Sequence, residues 1–126
     1  MPAIKALLVD DEEGFTSTLA ERLALRDFEV SVALSGKEAL DVTQKACPDI
    51  VLLDLSLPDM GGEEVLGEIK KIDSTIEVII ISGRCLIDQN DIKGGPFSCV
   101  SKPVKLIDLV EVMNAAYEAV QKNRGE

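Results

Sequence analysis

The stretch that decides the fold is Ile50-Val-Leu-Leu-Asp54, in which four consecutive apolar residues end at a carboxylate. An apolar run without polar alternation is typical of a strand that is covered on both faces of a parallel sheet. Residues 4–9 and 76–81 have a similar character, a further strand-length run lies at 30–34, and a weaker candidate lies at 97–101. The sequence therefore predicts five short strands.

Helical patterns lie between these strands. Apolar residues recur there at spacings of three and four, which places them on one face of a helix. These residues are Phe15, Leu19 and Leu23, then Val65, Leu66, Ile69 and Ile72, and finally Leu106, Leu109, Val110, Met113, Tyr117 and Val120. Ser35 and Glu38 form the pattern of a capping box, so a further helix is expected to begin there and to run to about residue 45.

Strand and helix alternate along the chain, which predicts an α/β domain of three layers with a doubly wound parallel sheet of five strands. The segment between the fourth and fifth strands is the exception. Leu86, Ile87 and Ile92 form no helical stripe, and Gly94-Gly95-Pro96 closes the segment. A fourth helix over 85–95 is therefore expected to be short or irregular.

Length and composition limit the classes of protein to which the chain can belong. With 126 residues, 46% of them apolar, it is predicted to form a single domain over residues 1–126 with a frayed tail over about 122–126. The formal net charge of −10 argues against direct binding to nucleic acid. No apolar run is long enough for a secretory signal or a membrane span, so we expect a cytoplasmic protein without membrane contact.

The chain contains three cysteines, Cys47, Cys85 and Cys99, and no histidine. The number is odd, and the spacing does not match that of a zinc site. We therefore expect the three side chains to be free, buried thiols that pack as small hydrophobic groups.

Polar residues follow four of the five predicted strands. Asp10 and Asp11 come after the first strand, Asp54 after the third, Ser82 after the fourth and Lys102 after the fifth. Because the carboxyl ends of parallel strands meet at one edge of a sheet, we expect these side chains to lie close together. Three carboxylates at that edge repel one another unless a hard divalent cation lies among them. Oxygen ligands favour Mg²⁺, with Asp10, Asp11 and Asp54 holding it.

The same edge is suited to phosphoryl groups. A magnesium ion that few protein atoms hold keeps coordination positions that phosphate oxygens can take. Lys102 supplies a positive charge for those oxygens, and Ser82 supplies a hydroxyl donor. Phosphoryl transfer depends mainly on positioning and charge neutralisation, so a carboxylate in line with the phosphorus is a sufficient nucleophile. Asp54, which stands alone at the end of its strand, is the predicted phosphoacceptor.

The whole pattern resembles the receiver domains of two-component response regulators. The residues that carry the resemblance are Asp10-Asp11, the stretch Leu52-Leu-Asp-Leu-Ser-Leu-Pro-Asp-Met-Gly-Gly62, Ser82 with Gly83, and Lys102-Pro103. The resemblance implies a flavodoxin-like strand order, 2-1-3-4-5, and a cis peptide bond before Pro103. It also implies that Asp54 takes its phosphoryl group from a sensor histidine kinase or a phosphotransfer protein, and that the backbone carbonyl of Ser56 completes the magnesium coordination. A downstream protein or an output domain would respond to the change.

Two departures from that family concern how the signal leaves the domain. The family usually carries Tyr or Phe three residues before the lysine, where this chain has Cys99; Phe97 is expected on the same strand face by alternation. The irregular segment 85–95 replaces the usual fourth helix, so phosphorylation is expected to order or shift that segment. Ser56 and Arg84 match positions at the rim of the pocket and are expected to influence the lifetime of the acyl phosphate.

Two other functions stay open at this point. A receiver-like module that is not phosphorylated would act as a protein-binding adaptor, although no site residue is missing here. A phosphohydrolase of the haloacid-dehalogenase type also uses a strand-end Asp, a hydroxyl and a Lys, but it usually has a second Asp where this chain has Ser56. We expect no enzyme activity beyond phosphorylation and dephosphorylation of the protein's own aspartate. The sequence does not decide between a stand-alone regulator and the receiver part of a longer protein.

Overall fold

The structure is a computed structural model that describes residues 3–83 and 96–125. Strands and helices alternate through most of this range. The elements are β1 (Ile4–Val9), α1 (Glu13–Ala24), β2 (Phe28–Ala33), α2 (Gly36–Ala46), β3 (Ile50–Asp54), α3 (Gly62–Ile72), β4 (Glu77–Ser82), β5 (Ser98–Ser101) and α4 (Leu106–Gly125). The predicted irregular helix over 85–95 and the rim residue Arg84 lie outside the described residues.

The five strands form one parallel sheet in the order β2-β1-β3-β4-β5, which confirms the predicted fold class and strand order. The register sets which side chains meet at the carboxyl edge. Val9 pairs with Leu53, and Asp54 pairs with Ile81, so the residues that follow Val9 and Ile81 lie beside Asp54. The ends of β1, β3 and β4 therefore reach the same level.

Side chains alternate across the sheet and build two separate apolar cores, which gives the predicted three layers. One core contains Ala6, Leu8, Ile50, Leu52, Ile79 and Ile81 from the sheet, with Leu19, Leu23, Leu109, Met113 and Ala116 from α1 and α4. The other contains Leu7, Val9, Val51, Leu53, Val78 and Ile80 from the sheet, with Ala39, Val65, Leu66 and Ile69 from α2 and α3. The central strands read as continuous apolar runs because both of their faces are covered.

The helix boundaries follow local signals, with one difference at the carboxyl terminus. The predicted cap of α2 is confirmed, because the Ser35 hydroxyl oxygen accepts a hydrogen bond from the Glu38 amide at 3.1 Å. Residues 122–125, expected to fray, continue α4 instead. The Arg124 side chain explains this, since it donates to Thr75 at 2.8 Å and forms an ion pair with Asp73 at 3.4 Å. No helix within residues 3–83 and 96–125 is long and apolar enough to cross a membrane.

The cysteines differ from the expectation of free, buried thiols. Cys47 is free but exposed, and it follows α2 as its C-cap residue with a left-handed backbone (φ 48°). Cys99 is half-buried and disulfide-bonded, so the prediction of a free thiol was wrong there. An odd number of cysteines without a motif carries no information about pairing. Cys85 lies outside the described residues.

Phe97 and Cys99 do not share a face of the sheet. Phe97 packs against the core beneath α1 and α4, whereas Cys99 packs against the core beneath α2 and α3. The expectation from strand alternation was wrong because β5 begins only at Ser98, so the two-residue period does not extend back to Phe97.

Candidate functional site

The carboxyl edge of the sheet holds three aspartates, as the sequence predicts. Asp10 follows β1 and stays in the ladder, because its amide donates to the Ala33 carbonyl at 3.1 Å. Asp54 is the last residue of β3. Both carboxylates are buried, with 1% of Asp10 and 5% of Asp54 exposed, whereas Asp11 is exposed to solvent. Two buried carboxylates thus lie beside a third that is exposed to solvent.

Asp10, Asp11 and Asp54 are close enough to share one cation. Each offers one carboxylate oxygen, and these oxygens lie within 4.8 Å of one another. The donor set consists of oxygen atoms with negative charge and contains neither nitrogen nor sulfur. This chemistry fits a hard divalent cation such as Mg²⁺, which prefers carboxylates and retains water molecules.

The electrostatic environment of Asp54 disfavours the charged form of its carboxyl group. Burial raises the pKa of the Asp54 carboxyl, and the neighbouring charges of Asp10 and Asp11 raise it further. A hydrogen bond from the Ser56 amide at 3.2 Å and the charge of Lys102 oppose this shift without cancelling it. A positive charge added beside Asp54 therefore stabilises its carboxylate form.

Lys102 is the residue after β5, and its side chain extends into the pocket. Its Nζ lies 3.1 Å from Asp10 Oδ2, 3.9 Å from Asp54 Oδ2 and 3.4 Å from Glu12 Oε1. Burial works to lower the pKa of Lys102, but the attraction of these carboxylates, Asp10 first, outweighs it and raises the pKa above its ordinary value. Its amide donates to the Ser82 carbonyl at 2.8 Å, and the predicted cis bond to Pro103 is confirmed.

Ser82 and Ser56 lie near the aspartates but contribute differently. Ser82 ends β4 one position beyond Ile81, the partner of Asp54, and is half-buried. Ser56 is exposed in the loop after β3, and its amide is bonded to Asp54 Oδ1. The fold thus brings the predicted residues Asp10, Asp11, Asp54, Ser82 and Lys102 to one edge, with Ser56 on the adjoining loop.

Two residues at this edge were missed by sequence reasoning. Glu12 is one, through its ion pair with Lys102, and Phe15 is the other, with its ring centroid 4.8 Å from Lys102 Nζ. A cation over an aromatic face is stabilised by the ring quadrupole. Phe15 was assigned only to a helix face, and Glu12 only adjoins the acidic pair. No signal in the sequence links either residue to Lys102, which lies 90 residues after Glu12.

The raised pKa of Asp54 leads to a prediction about stability without metal. The native protein binds a proton at this carboxyl more tightly than the unfolded chain does, so protonation of Asp54 stabilises the fold. This stabilisation is fully present below the pKa of the unfolded chain and is lost as pH rises through the pKa of the folded protein. Asp54→Asn should therefore stabilise the protein in EDTA at pH 7, by about 1 kcal/mol, and the gain should shrink toward pH 4. Urea unfolding across this range measures it.

The matched control is Asp41→Asn, which makes the same chemical change at an exposed position of α2. It should leave the unfolding midpoint nearly unchanged at both pH values. A destabilised Asp54→Asn protein at pH 7 would contradict the electrostatic picture of this pocket.

Comparison with known proteins identifies the family. The family model of the response regulator receiver domain matches residues 6–114. Sporulation initiation phosphotransferase F of Bacillus subtilis is 35% identical over 113 residues, which cover 88% of this chain and 89% of that protein. The transcriptional regulatory protein PrrA of Mycobacterium leprae is 31% identical over 123 residues, which cover 96% of this chain and 51% of that regulator. The chain thus spans about half the length of PrrA.

A solved structure supports the same family assignment. A response regulator receiver domain protein from Clostridium thermocellum superposes with a TM-score of 0.83 at 33% identity, covering 91% of this chain and 94% of that one. Receiver domains are signalling modules and generally not catalytic enzymes, and they generally use Mg²⁺ at an acidic pocket like the aspartate cluster described above. Their partners are histidine kinases or phosphotransfer proteins. The chain belongs to the response regulator receiver domain family of two-component signalling.

Proposed function

We propose that Asp54 accepts a phosphoryl group from the phosphohistidine of a sensor kinase or phosphotransfer protein. The observation that carries the proposal is the position of Asp54, buried beside two other aspartates and 3.9 Å from Lys102 Nζ. In the transfer, a carboxylate oxygen of Asp54 bonds to phosphorus, the phosphorus–nitrogen bond of the donor breaks, and the electron pair leaves with the histidine nitrogen. The product is an acyl phosphate on the protein itself.

The residues that would hold Mg²⁺ are Asp10, Asp11, Asp54 and the backbone carbonyl of Ser56. The three carboxylates are already grouped at the carboxyl edge of the sheet. When bound, the ion neutralises charge on the aspartates and on the incoming phosphoryl oxygens. The burial of Asp10 and Asp54 strengthens this effect, because charges interact more strongly away from water.

Lys102 and Ser82 are proposed to bind the phosphoryl oxygens. Lys102 is already in the pocket, held by Asp10 and Glu12, so it needs only a short movement to contact an anion on Asp54. Ser82 ends the strand next to β3 and carries a hydroxyl that can donate one hydrogen bond. Their engagement would couple phosphorylation to β4 and β5, and from there to the binding of a downstream protein or an output domain.

Intact-mass measurement tests the function. The protein is incubated with acetyl phosphate and Mg²⁺, with EDTA in a parallel sample. We expect a single phosphoryl adduct with Mg²⁺ and none with EDTA. A folded protein that gains no adduct would favour the adaptor function, and steady turnover of a small phosphate ester would favour a phosphohydrolase.

Lys102→Ala separates the binding of the cation from the response to phosphorylation. The variant should bind Mg²⁺ at least as tightly as the parent, because it loses an ammonium group 3.1 Å from Asp10 that competes with the cation. The change in amide hydrogen exchange on phosphorylation should fall about tenfold, since one donor to the phosphoryl group is gone.

The control for this variant is Lys105→Ala, an exposed lysine three residues further along the chain. It should keep both the cation affinity and the exchange response. An unaltered exchange response in Lys102→Ala would remove Lys102 from the signalling step.

A further inference from the structure

The loop between Asp54 and α3, residues 55–61, is attached to the N-terminus of α2. Asp59 in this loop accepts two backbone hydrogen bonds, one from the Gly36 amide to Oδ1 at 2.8 Å and one from the Lys37 amide to Oδ2 at 3.0 Å. Gly36 and Lys37 open α2, where amides have no partner within the helix. A single carboxylate from a different loop therefore satisfies two of them.

Close packing supports the same junction. Gly36 is buried, and a Cβ atom at this position would lie 2.8 Å from Met60 Sδ and 2.9 Å from Met60 Cβ. At the far end of the loop, a Cβ atom on Gly62 would lie 2.8 Å from Leu55 Cα. Two glycines thus let the loop approach α2 on one side and the start of α3 on the other.

The charge of Asp59 fits this position. The hydrogen bonds from the Gly36 and Lys37 amides hold the pKa of Asp59 below its usual range. The carboxylate also lies at the positive end of the α2 dipole. Since Asp59 is exposed, its charge alone has a small effect in water. What distinguishes it is the pair of simultaneous hydrogen bonds that fix both position and orientation.

We propose that Asp59 is a positioning residue for the phosphorylation site, acting through the loop that carries the Ser56 carbonyl. The inference rests on the proposed function, in which that carbonyl is a ligand of Mg²⁺. The Ser56 amide is bonded to Asp54 Oδ1, so the loop is joined to the phosphoacceptor at one end and to α2 at Asp59. Without the attachment at Asp59, the loop samples positions in which Ser56 is out of place, and cation affinity falls.

Asp59→Ala tests this inference, and Ser35→Ala is its matched control. Ser35→Ala removes the other capping bond of α2, to the Glu38 amide, without touching the loop. We expect Asp59→Ala to lower Mg²⁺ affinity about fivefold in isothermal titration calorimetry. It should also accelerate amide hydrogen exchange over residues 55–61 in the metal-free protein. Ser35→Ala should leave both properties at the parent's values while destabilising α2.

Asp59→Asn covers the possibility that the alanine variant does not fold. Asparagine keeps the shape of the side chain but only one acceptor oxygen, so Mg²⁺ affinity should fall less than in Asp59→Ala. If Ser35→Ala and Asp59→Ala bind Mg²⁺ with equal affinity, Asp59 acts only as a helix cap. That result would overturn the inference and leave the proposed function unaffected. A parent protein that binds no Mg²⁺ would overturn the proposed function and, with it, this inference.

Discussion

Asp54→Asn should gain no phosphoryl group from acetyl phosphate and Mg²⁺ under conditions that label the parent completely. The amide oxygen of asparagine carries no negative charge and is a far weaker nucleophile than a carboxylate, so we expect a loss of at least about 100-fold in the rate of labelling. The side chain keeps its size, and removing the charge relieves repulsion from Asp10 and Asp11. The variant should therefore be folded, which makes the loss chemical and not structural.

Asp41→Asn serves again as the control, because it carries the same replacement on the exposed face of α2. It should be labelled at the parent's rate. Peptide mapping of the labelled parent should place the phosphoryl group on Asp54. Labelling that persists in Asp54→Asn would move the acceptor to another carboxylate, with Asp10 and Asp11 as the nearest alternatives.

Asp11→Asn should lower Mg²⁺ affinity by at least about tenfold. Asp11 is the exposed member of the aspartate cluster and contributes one of the charged oxygens that lie within 4.8 Å of one another. Magnesium is bound through few protein ligands, so the loss of one charged ligand removes a large share of the attraction. Isothermal titration calorimetry at constant ionic strength measures the affinity without interference from changes in screening.

The control for this variant is Glu13→Gln, which removes one negative charge from an exposed residue in the first turn of α1. It tests whether net charge alone attracts the cation, since the protein carries a formal charge of −10. We expect its affinity to stay within about twofold of the parent's, because exposed charges beyond the site are screened. Equal losses in the two variants would mean that Mg²⁺ is held by the general field and not by a defined site.

The fold and the core of the site were predictable because both follow from local patterns. Continuous apolar runs predicted strands that are covered on both faces, and the structure places Leu52 and Leu53 in opposite cores. Since all strands are parallel, a polar residue after each strand arrives at the same edge. The position of Asp54 beside Asp10 therefore needed only the strand ends, which the sequence shows, and the strand order, which the resemblance to receiver domains implies.

What the sequence by itself determined is thus the α/β architecture and the meeting of Asp10, Asp11, Asp54, Ser82 and Lys102 at the carboxyl edge of the sheet. Tertiary structure alone decided the features that depend on residues distant along the chain. These include the ion pair of Glu12 with Lys102, the attachment of Asp59 to α2 and the continuation of α4 to Arg124. The physical reason is that strand and helix patterns repeat over a few residues, whereas these contacts depend on how separate loops approach one another after the sheet has formed.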